Sequence, residues 1–183
     1  MINNILLDMD GVLADFFTVA LRELNRKYPD RAISIDEYRK NPTFDIAEKF
    51  KISNTEFWTA LNYIGFWSNL PLFNHAKNLF GALKEIAPVT IASSPCSSNF
   101  NCVPEKLIWL KRHFGLTSSE CLFGSRKYLM ARPDTLLVDD YNKNTTEFQE
   151  NGGKAILIPS NWNYNIEKID IVEYVKREIQ KLV

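Results

Sequence analysis

The sequence of 183 residues is poor in cysteine and histidine. Its three cysteines, Cys96, Cys102 and Cys121, are odd in number and not spaced as C-x-x-C, which argues against a disulfide framework or a structural zinc site. His75 and His113 lie far apart in sequence, so a histidine metal cluster or a Ser-His-Asp arrangement is hard to assemble. Any metal chemistry must therefore come from oxygen ligands.

Charge of one sign and long hydrophobic runs are also missing. The 22 basic and 22 acidic side chains cancel, which leaves no overall field to attract long nucleic acids. No stretch approaches the roughly 18 consecutive apolar residues of a membrane span. Asp8, Asp10 and Asp15 interrupt the apolar region that a secretory signal needs. We therefore expect a cytoplasmic protein with small-molecule ligands and no membrane contact.

What is present is an ordinary globular composition, with 45% hydrophobic and 24% charged residues. Short apolar runs, typical of strands buried on both faces, alternate with helical patterns. The predicted strands are 5–9, 89–92, 136–138 and 155–158, and the predicted helices are 77–86, 104–114, 144–150 and 166–182. This alternation indicates an α/β fold with a mainly parallel sheet covered on both faces.

The segment 16–72 breaks the alternation, because it contains only helical patches, at 16–28, 35–39, 44–50 and 55–63. It is rich in aromatic residues, most of which we expect to form a small core of its own. We interpret it as a helical cap inserted after the first strand. The core domain then consists of residues 1–15 and 73–183.

The sharpest motif is Asp8-Met9-Asp10-Gly11, at the end of the first predicted strand. Ligands of open parallel sheets bind beyond the carboxyl ends of the strands. Residues i and i+2 of a strand point to the same side, and two neighbouring carboxylates need a cation or a shared proton. Gly11 permits a tight turn close to a ligand. The motif therefore predicts a carboxylate pair at the ligand-binding edge.

A second acidic pair, Asp139-Asp140, closes the predicted strand 136–138. Four carboxylates at two strand ends suit Mg²⁺, which is usually held by one or two carboxylates together with a substrate phosphate. The alternative is that one of these acids only caps the helix that begins near Asn144, or starts a turn.

Two further segments suit a phosphate group. Ser93 and Ser94 follow the strand 89–92, where hydroxyl and backbone N–H groups can hold an anion. Arg126 and Lys127 precede the acidic strand, and a cation there can neutralise a transferring phosphoryl group. The alternatives are an ordinary Ser-Ser-Pro turn and an exposed basic pair.

Along the chain the motifs come in the order D-x-D-G at 8–11, Ser93, Lys127 and Asp139-Asp140. In this order they resemble the motifs of the haloacid dehalogenase superfamily phosphatases. The closer resemblance is to the 5'(3')-deoxyribonucleotidases, through DMDGVLADF at 8–16, SSP at 93–95, CVPEK at 102–106 and LLVDD at 136–140. The sequence departs from that family at Ser93, where threonine is typical. It also departs at Arg126-Lys127, because the family usually has one residue between the arginine and the lysine. Lys106 is therefore the alternative to Lys127 as the phosphate-stabilising lysine.

The resemblance implies a Mg²⁺-dependent phosphomonoesterase with a Rossmann-like core. Asp8 would be the nucleophile that forms an aspartyl-phosphate, and Asp10 the general acid and base. Ser93 and Lys127 would stabilise the phosphate oxygens. The implied metal ligands, of which Asp10 contributes its backbone carbonyl, are Asp8, Asp10, Asp139 and Asp140.

The expected substrate is a nucleoside monophosphate, and the resemblance alone favours its 2'-deoxy form. Phe16 follows the first motif and Trp67 lies near the return from the insertion, where both rings can border the pocket and stack on a base. The alternative is that these rings only pack the cap against the core. Further substrate contacts are assigned to Ser94, Lys106 and Arg126.

Other functions stay open at this point. One is a phosphatase of the same superfamily that acts on another small phosphate or on a nucleic-acid terminal phosphate. Another is a metal- and phosphate-binding domain without turnover. The sequence also leaves open whether the protein forms a homodimer.

Overall fold

The computed structural model describes residues 1–163 and 170–182. Within these residues, five parallel strands form one sheet in the order β3-β2-β1-β4-β5. The strands are β1 (Asn4–Leu7), β2 (Val89–Ser93), β3 (Cys121–Phe123), β4 (Thr135–Asp139) and β5 (Lys154–Leu157). The α/β fold with a parallel sheet that the sequence predicts is confirmed.

The helices occupy the connections between these strands. The α-helices in the described residues are α1 (Phe16–Lys27), α2 (Ile35–Lys40), α3 (Ile46–Lys49), α4 (Asn54–Ala60), α5 (Ala76–Lys84), α6 (Cys102–Phe114), α7 (Asn142–Glu150) and α8 (Ile171–Leu182). Short 3-10 helices occupy Pro29–Arg31, Trp67–Asn69, Ser118–Glu120 and Lys127–Met130. Of the last predicted helix, 166–182, residues 166–169 lie outside the described residues.

Two predictions of the strands need correction. The edge strand β3 was not predicted, because it is only three residues long and two of its residues are only partly buried, so it has no long apolar run. The first strand ends at Leu7 rather than residue 9. Asp8 N donates to Val138 O at 2.9 Å and makes the last backbone hydrogen bond to β4. A turn follows, in which Gly11 N donates to Ala14 O at 2.8 Å. The D-x-D-G motif therefore forms the turn beyond β1.

Local signals explain where several helices begin and end. The Asp15 carboxylate accepts a hydrogen bond from Thr18 N at 3.0 Å and starts α1. Ser53 and Glu56 form a reciprocal capping box at the start of α4. Helix α6 ends at Gly115, which adopts the left-handed conformation with φ of 71°.

The described residues of segment 16–72 are helical or irregular, and the segment leaves and re-enters the core at one place. Ala14 and Leu72 form an isolated antiparallel bridge, and Asp15 N donates to Pro71 O at 2.8 Å. The aromatic-rich insertion after β1 is thus observed. Its boundaries as a separate cap, 16–72 against 1–15 and 73–183, stay a prediction.

The central strands are buried on both faces. In β1, Ile5 and Leu7 belong to the large core cluster, and Leu6 belongs to a smaller one with Leu137 and Phe148 on the opposite side. The sheet therefore presents polar chemistry chiefly at its strand ends. No helix within the described ranges is long and apolar enough to cross a membrane.

Candidate active site

The carboxyl ends of the three central strands bring the predicted polar residues together. Asp8 follows β1, Ser93 ends β2 and Asp139 ends β4. The chain order of the sheet reverses at β1, and such a switch point is where open α/β sheets bind ligands. A cavity of about 890 Å³ opens at this edge, and both Asp8 and Asp10 line it.

On one side of the cavity, three acids surround a buried lysine. Among the described residues, Asp8, Asp139 and Asp140 each present a carboxylate oxygen within 4.8 Å of the other two. Lys127 Nζ donates to Asp8 Oδ1 and to Asp139 Oδ2, both at 2.6 Å. Asn144 Nδ2 also donates to Asp139, at 3.0 and 3.2 Å to its two oxygens.

The donor set fits a divalent cation. Asp140 Oδ2 is buried and has no hydrogen-bond partner among the described residues. A buried charged oxygen without a partner is costly, and carboxylate oxygens are what Mg²⁺ prefers. The Asp139 carboxylate also accepts from Tyr141 N at 2.9 Å, so the turn role considered from the sequence coexists with this cluster.

Burial raises the pKa values of two of these acids, Asp8 and Asp140. It raises the pKa of Asp8 to about 7, a rise that the Lys127 ammonium limits. Burial and the neighbouring Asp139 raise the pKa of Asp140 well above its usual value. Burial alone would lower the pKa of Lys127, but Asp8 and Asp139 raise it above its ordinary value. Asp8 and Asp140 therefore resist carrying full charge together unless further positive charge is present.

On the other side of the cavity lies a second buried lysine. Lys106 Nζ donates to Asp10 Oδ2 at 2.5 Å, to Ser93 Oγ at 2.9 Å and to the Ser94 carbonyl oxygen at 2.7 Å. Asp10 Oδ1 is buried and has no hydrogen-bond partner among the described residues. Asp8 and Asp10, which the sequence presents as one pair, are thus held by different lysines.

Gly11 allows the two acidic segments to approach closely. Its φ of 82° is in the left-handed region, and a Cβ there would lie 2.1 Å from Asp140 Oδ2 and 2.7 Å from the Trp162 ring. The Asp140 carbonyl oxygen in turn accepts from Trp162 Nε1 at 3.2 Å and from Asn163 Nδ2 at 2.8 Å. A side chain at position 11 would therefore displace Asp140.

Aromatic rings form two further walls of the cavity. Phe16 is half-buried and stacks on Trp67, with centroids 5.5 Å apart and planes inclined by 14°. Trp67 is only 3% exposed, so most of its ring packs against neighbours. A second pair of rings in the cavity lining is Phe44 stacked on Tyr141, with an interplanar angle of 14°.

The remaining predicted substrate contacts are in different environments. Ser94 is half-buried, Arg126 is exposed and Lys106 is fully buried, and all three line the cavity. Sequence reasoning missed several residues that line the cavity or touch its acids: Phe44, Trp58, Tyr141, Asn144 and Trp162. The aromatic enrichment of segment 16–72 was the available signal for the first two.

Comparisons with known proteins agree with this geometry. The model of the family described as "5' nucleotidase, deoxy (Pyrimidine), cytosolic type C protein" matches residues 1–181. A Bordetella pertussis protein provisionally named 5'(3')-deoxyribonucleotidase is 35% identical over 138 residues, or 74% of this chain and 73% of the relative. The mouse protein named mitochondrial 5'(3')-deoxyribonucleotidase is 28% identical over 171 residues, or 89% of this chain and 76% of the relative.

A solved structure shows the same fold. The crystal structure of a haloacid dehalogenase-like protein from Agrobacterium tumefaciens superimposes with a TM-score of 0.68 at 14% identity, covering 100% of this chain and 99% of the other. The sheet order, the insertion after β1 and the acidic strand ends define a phosphatase of the haloacid dehalogenase class. Within that class, the chain belongs to the 5'-nucleotidase family whose model matches it, and it is a phosphomonoester hydrolase.

Proposed function

We propose that this protein hydrolyses nucleoside monophosphates, with a preference for the 2'-deoxy form, through an aspartyl-phosphate and with Mg²⁺ as cofactor. The observation that carries the proposal is the cluster of Asp8, Asp139 and Asp140 oxygens within 4.8 Å, at the edge of a ring-lined cavity that also holds Asp10. The nucleotide class follows from the names of the relatives.

The proposed reaction has two steps. An Asp8 oxygen attacks phosphorus, the bond from phosphorus to the sugar oxygen breaks, and Asp10 gives its proton to that leaving oxygen. Asp10 then takes a proton from water, which attacks the phosphorus of the aspartyl-phosphate, releases phosphate and restores Asp8. Lys106 Nζ donates to one Asp10 oxygen at 2.5 Å, which fixes the orientation of the Asp10 carboxyl group.

Separate groups would stabilise the negative charge of the phosphate. Asp8, Asp139, Asp140 and the Asp10 backbone carbonyl would hold Mg²⁺, which when bound would supply the positive charge that lets an anionic carboxylate approach an anionic phosphate. We assign Ser93 and Lys127 to the phosphoryl oxygens. The ammonium of Lys127 contacts the proposed nucleophile Asp8, whereas that of Lys106 contacts Asp10, and this supports the assignment of Lys127.

The nucleoside would lie against the aromatic wall. Phe16 lines the cavity, is half-buried and is backed by Trp67, so we assign it the contact with the base and Trp67 the supporting position. Ser94 and Arg126 are assigned to the outer phosphate contacts. A cytoplasmic location stays a prediction, since the mouse relative is named mitochondrial.

The decisive experiment measures phosphate release from dUMP, UMP and a hexose phosphate, with Mg²⁺ and with EDTA. We expect activity only with the metal, and the largest kcat/KM for dUMP. Phe16→Ala should lower the value for nucleotides by an amount equivalent to about 1 to 3 kcal/mol and spare the hexose phosphate. Equal kcat/KM for all three substrates would contradict the nucleotide proposal, and full activity in EDTA would contradict the metal.

A further inference from the structure

A buried carboxylate on α6 accepts hydrogen bonds from the backbone at the point where the chain returns from the insertion. Glu105 is 6% exposed and accepts three backbone hydrogen bonds. Its Oε1 accepts from Gly65 N at 2.8 Å, and its Oε2 accepts from Trp67 N at 3.0 Å and Ser68 N at 3.4 Å. Hydrogen bonds to a carboxylate are stronger than those between neutral groups, so Glu105 fixes this backbone firmly.

Two other side chains of α6 bind the same returning segment. Trp109 Nε1 donates to the Leu70 carbonyl oxygen at 2.7 Å, and Arg112 Nη1 donates to the Ser68 carbonyl oxygen at 2.8 Å. Glu105, Trp109 and Arg112 are spaced by four and three residues, which places them on one face of the helix. We call these three side chains the α6 clamp.

The clamp binds the backbone of Trp67, whose ring has several close neighbours. One neighbour of that ring is Phe16, stacked on it at 5.5 Å. Another is Lys106 Nζ, 4.6 Å from the ring centroid. Because Lys106 follows Glu105 in the chain, one turn of α6 fixes both the backbone of Trp67 and the ammonium against its ring.

Glu105 itself is not among the described residues that line the cavity, whereas Phe16 and Trp67 are. We propose that Glu105 is a positioning residue for nucleoside recognition, which it controls by holding Trp67 as a fixed support behind Phe16. This inference rests on the proposed function, because it concerns the base of a nucleotide substrate.

The test compares dUMP with 2-deoxyribose 5-phosphate, which has a hydroxyl group in place of the base. Glu105→Gln keeps the shape of the side chain but turns an amide NH₂ toward one set of backbone donors. We expect the ratio of kcat/KM for dUMP to that for deoxyribose phosphate to fall about tenfold, which corresponds to about 1.4 kcal/mol, and the change to lie mainly in KM for dUMP.

A matched control is Glu120→Gln. Glu120 also accepts a backbone hydrogen bond, from Thr117 N at 2.7 Å, but its residue is exposed and is not among those lining the cavity. This variant should keep the parental ratio.

A double-mutant cycle tests whether Glu105 acts through Trp67. In a Trp67→Leu background, Glu105→Gln should produce little further loss, because the ring that it positions is absent. A fully additive loss would overturn the inference, as would an unchanged ratio in a folded Glu105→Gln protein. Should that variant fail to fold, Arg112→Gln must lower the ratio in the same direction, and an unchanged ratio there overturns the inference.

Two readouts separate this inference from the proposed function. A parent enzyme without preference for dUMP over deoxyribose phosphate would refute both. A selective parent whose selectivity survives Glu105→Gln would refute only the positioning role. Independently of any substrate, the amide hydrogens of Gly65 and Trp67 should exchange slowly in the parent and faster in Glu105→Gln, and equal exchange would refute the clamp.

Discussion

The two buried lysines of the active site differ in the charge that surrounds them. Lys127 contacts Asp8 and Asp139 at 2.6 Å, and Asp140 completes the same acidic cluster. Lys106 contacts a single carboxylate, that of Asp10, and otherwise a hydroxyl and a backbone carbonyl. The same residue type therefore serves two electrostatic environments within one cavity.

The difference in charge indicates which side suits a metal ion. With all groups ionised, three carboxylates and one ammonium leave two negative charges around Lys127, which a divalent cation would balance. Asp10 and Lys106 balance each other without further charge. Substitutions that change only the groups around Lys127 or only those around Lys106 therefore distinguish the two environments.

The largest expected effect is the loss of the nucleophile on the Lys127 side. Asp8→Asn should reduce turnover to below roughly one per cent of the parent, since the amide cannot form the acyl phosphate. Folding should survive, because the amide has nearly the same shape and carries no buried charge. Steady-state phosphate release with a thermal melt as control checks this, and a retained rate of several per cent would refute Asp8 as nucleophile.

On the Lys106 side, Asp10→Asn should lower kcat by about 10² to 10⁴, the range of general acid and base catalysis. The first step should suffer less with an activated aryl phosphate, whose leaving group needs no proton. Burst kinetics with aryl and nucleotide substrates measure the difference. Equal losses in that step for both substrates would contradict the role of Asp10 as acid.

Replacing each lysine by methionine compares the two sides directly. Lys127→Met leaves the acidic cluster without its ammonium, and we expect a loss of about 3 to 5 kcal/mol in the free energy of unfolding in EDTA. Added Mg²⁺ should recover part of it.

Lys106→Met leaves only one carboxylate unpaired, so we expect the free energy of unfolding to fall by about 1.5 to 3 kcal/mol. Added Mg²⁺ should recover little of this loss. Chemical denaturation of both variants, with and without the metal, provides the measurement. The comparison fails if Mg²⁺ stabilises the two variants equally.

A further expected effect is a pH dependence of stability. The pKa of Asp8 is about 7 in the folded protein against an ordinary value of 3.8, because burial favours the protonated form. This contribution to stability is fully present below pH 3.8 and is lost as the pH rises through about 7. Metal binding requires the ionised acid, so Mg²⁺ should raise the melting temperature more at pH 8 than at pH 5.

Asp8→Asn controls for this pH effect, since it removes the titrating group. Its metal-free melting temperature should fall less between pH 4 and pH 7 than that of the parent. A parallel pH profile in the two proteins would show that Asp8 does not titrate in this window.

Strong local signals made most of the fold predictable. The apolar run before Asp8 and the acids after Val138 indicate the two central strands. Gly115 indicates the end of α6, because its left-handed conformation terminates the helix. The edge strand β3 escaped prediction, because three residues, of which two are partly buried and one is exposed, are too few to show a distinctive period.

The separate pairing of the two acids was not predictable either. The sequence places Asp8 and Asp10 two residues apart, but it contains no information on which lysine reaches which carboxylate. Glu105 and Lys106 are neighbours in an amphipathic helix and are both buried by tertiary contacts. Glu105 is buried against residues 65–68, and Lys106 lies against Asp10, Ser93 and Ser94. Tertiary contacts of this kind leave no local pattern.

The strands at the two edges of the described sheet have a consequence for contacts between molecules. β3 has three residues and β5 has four, so each edge offers only a few unpaired backbone groups. Short edges give a neighbouring chain little length on which to add a strand. The sheet is therefore a poor template for strand-by-strand growth, and crowding of folded molecules should not by itself lead to fibrils.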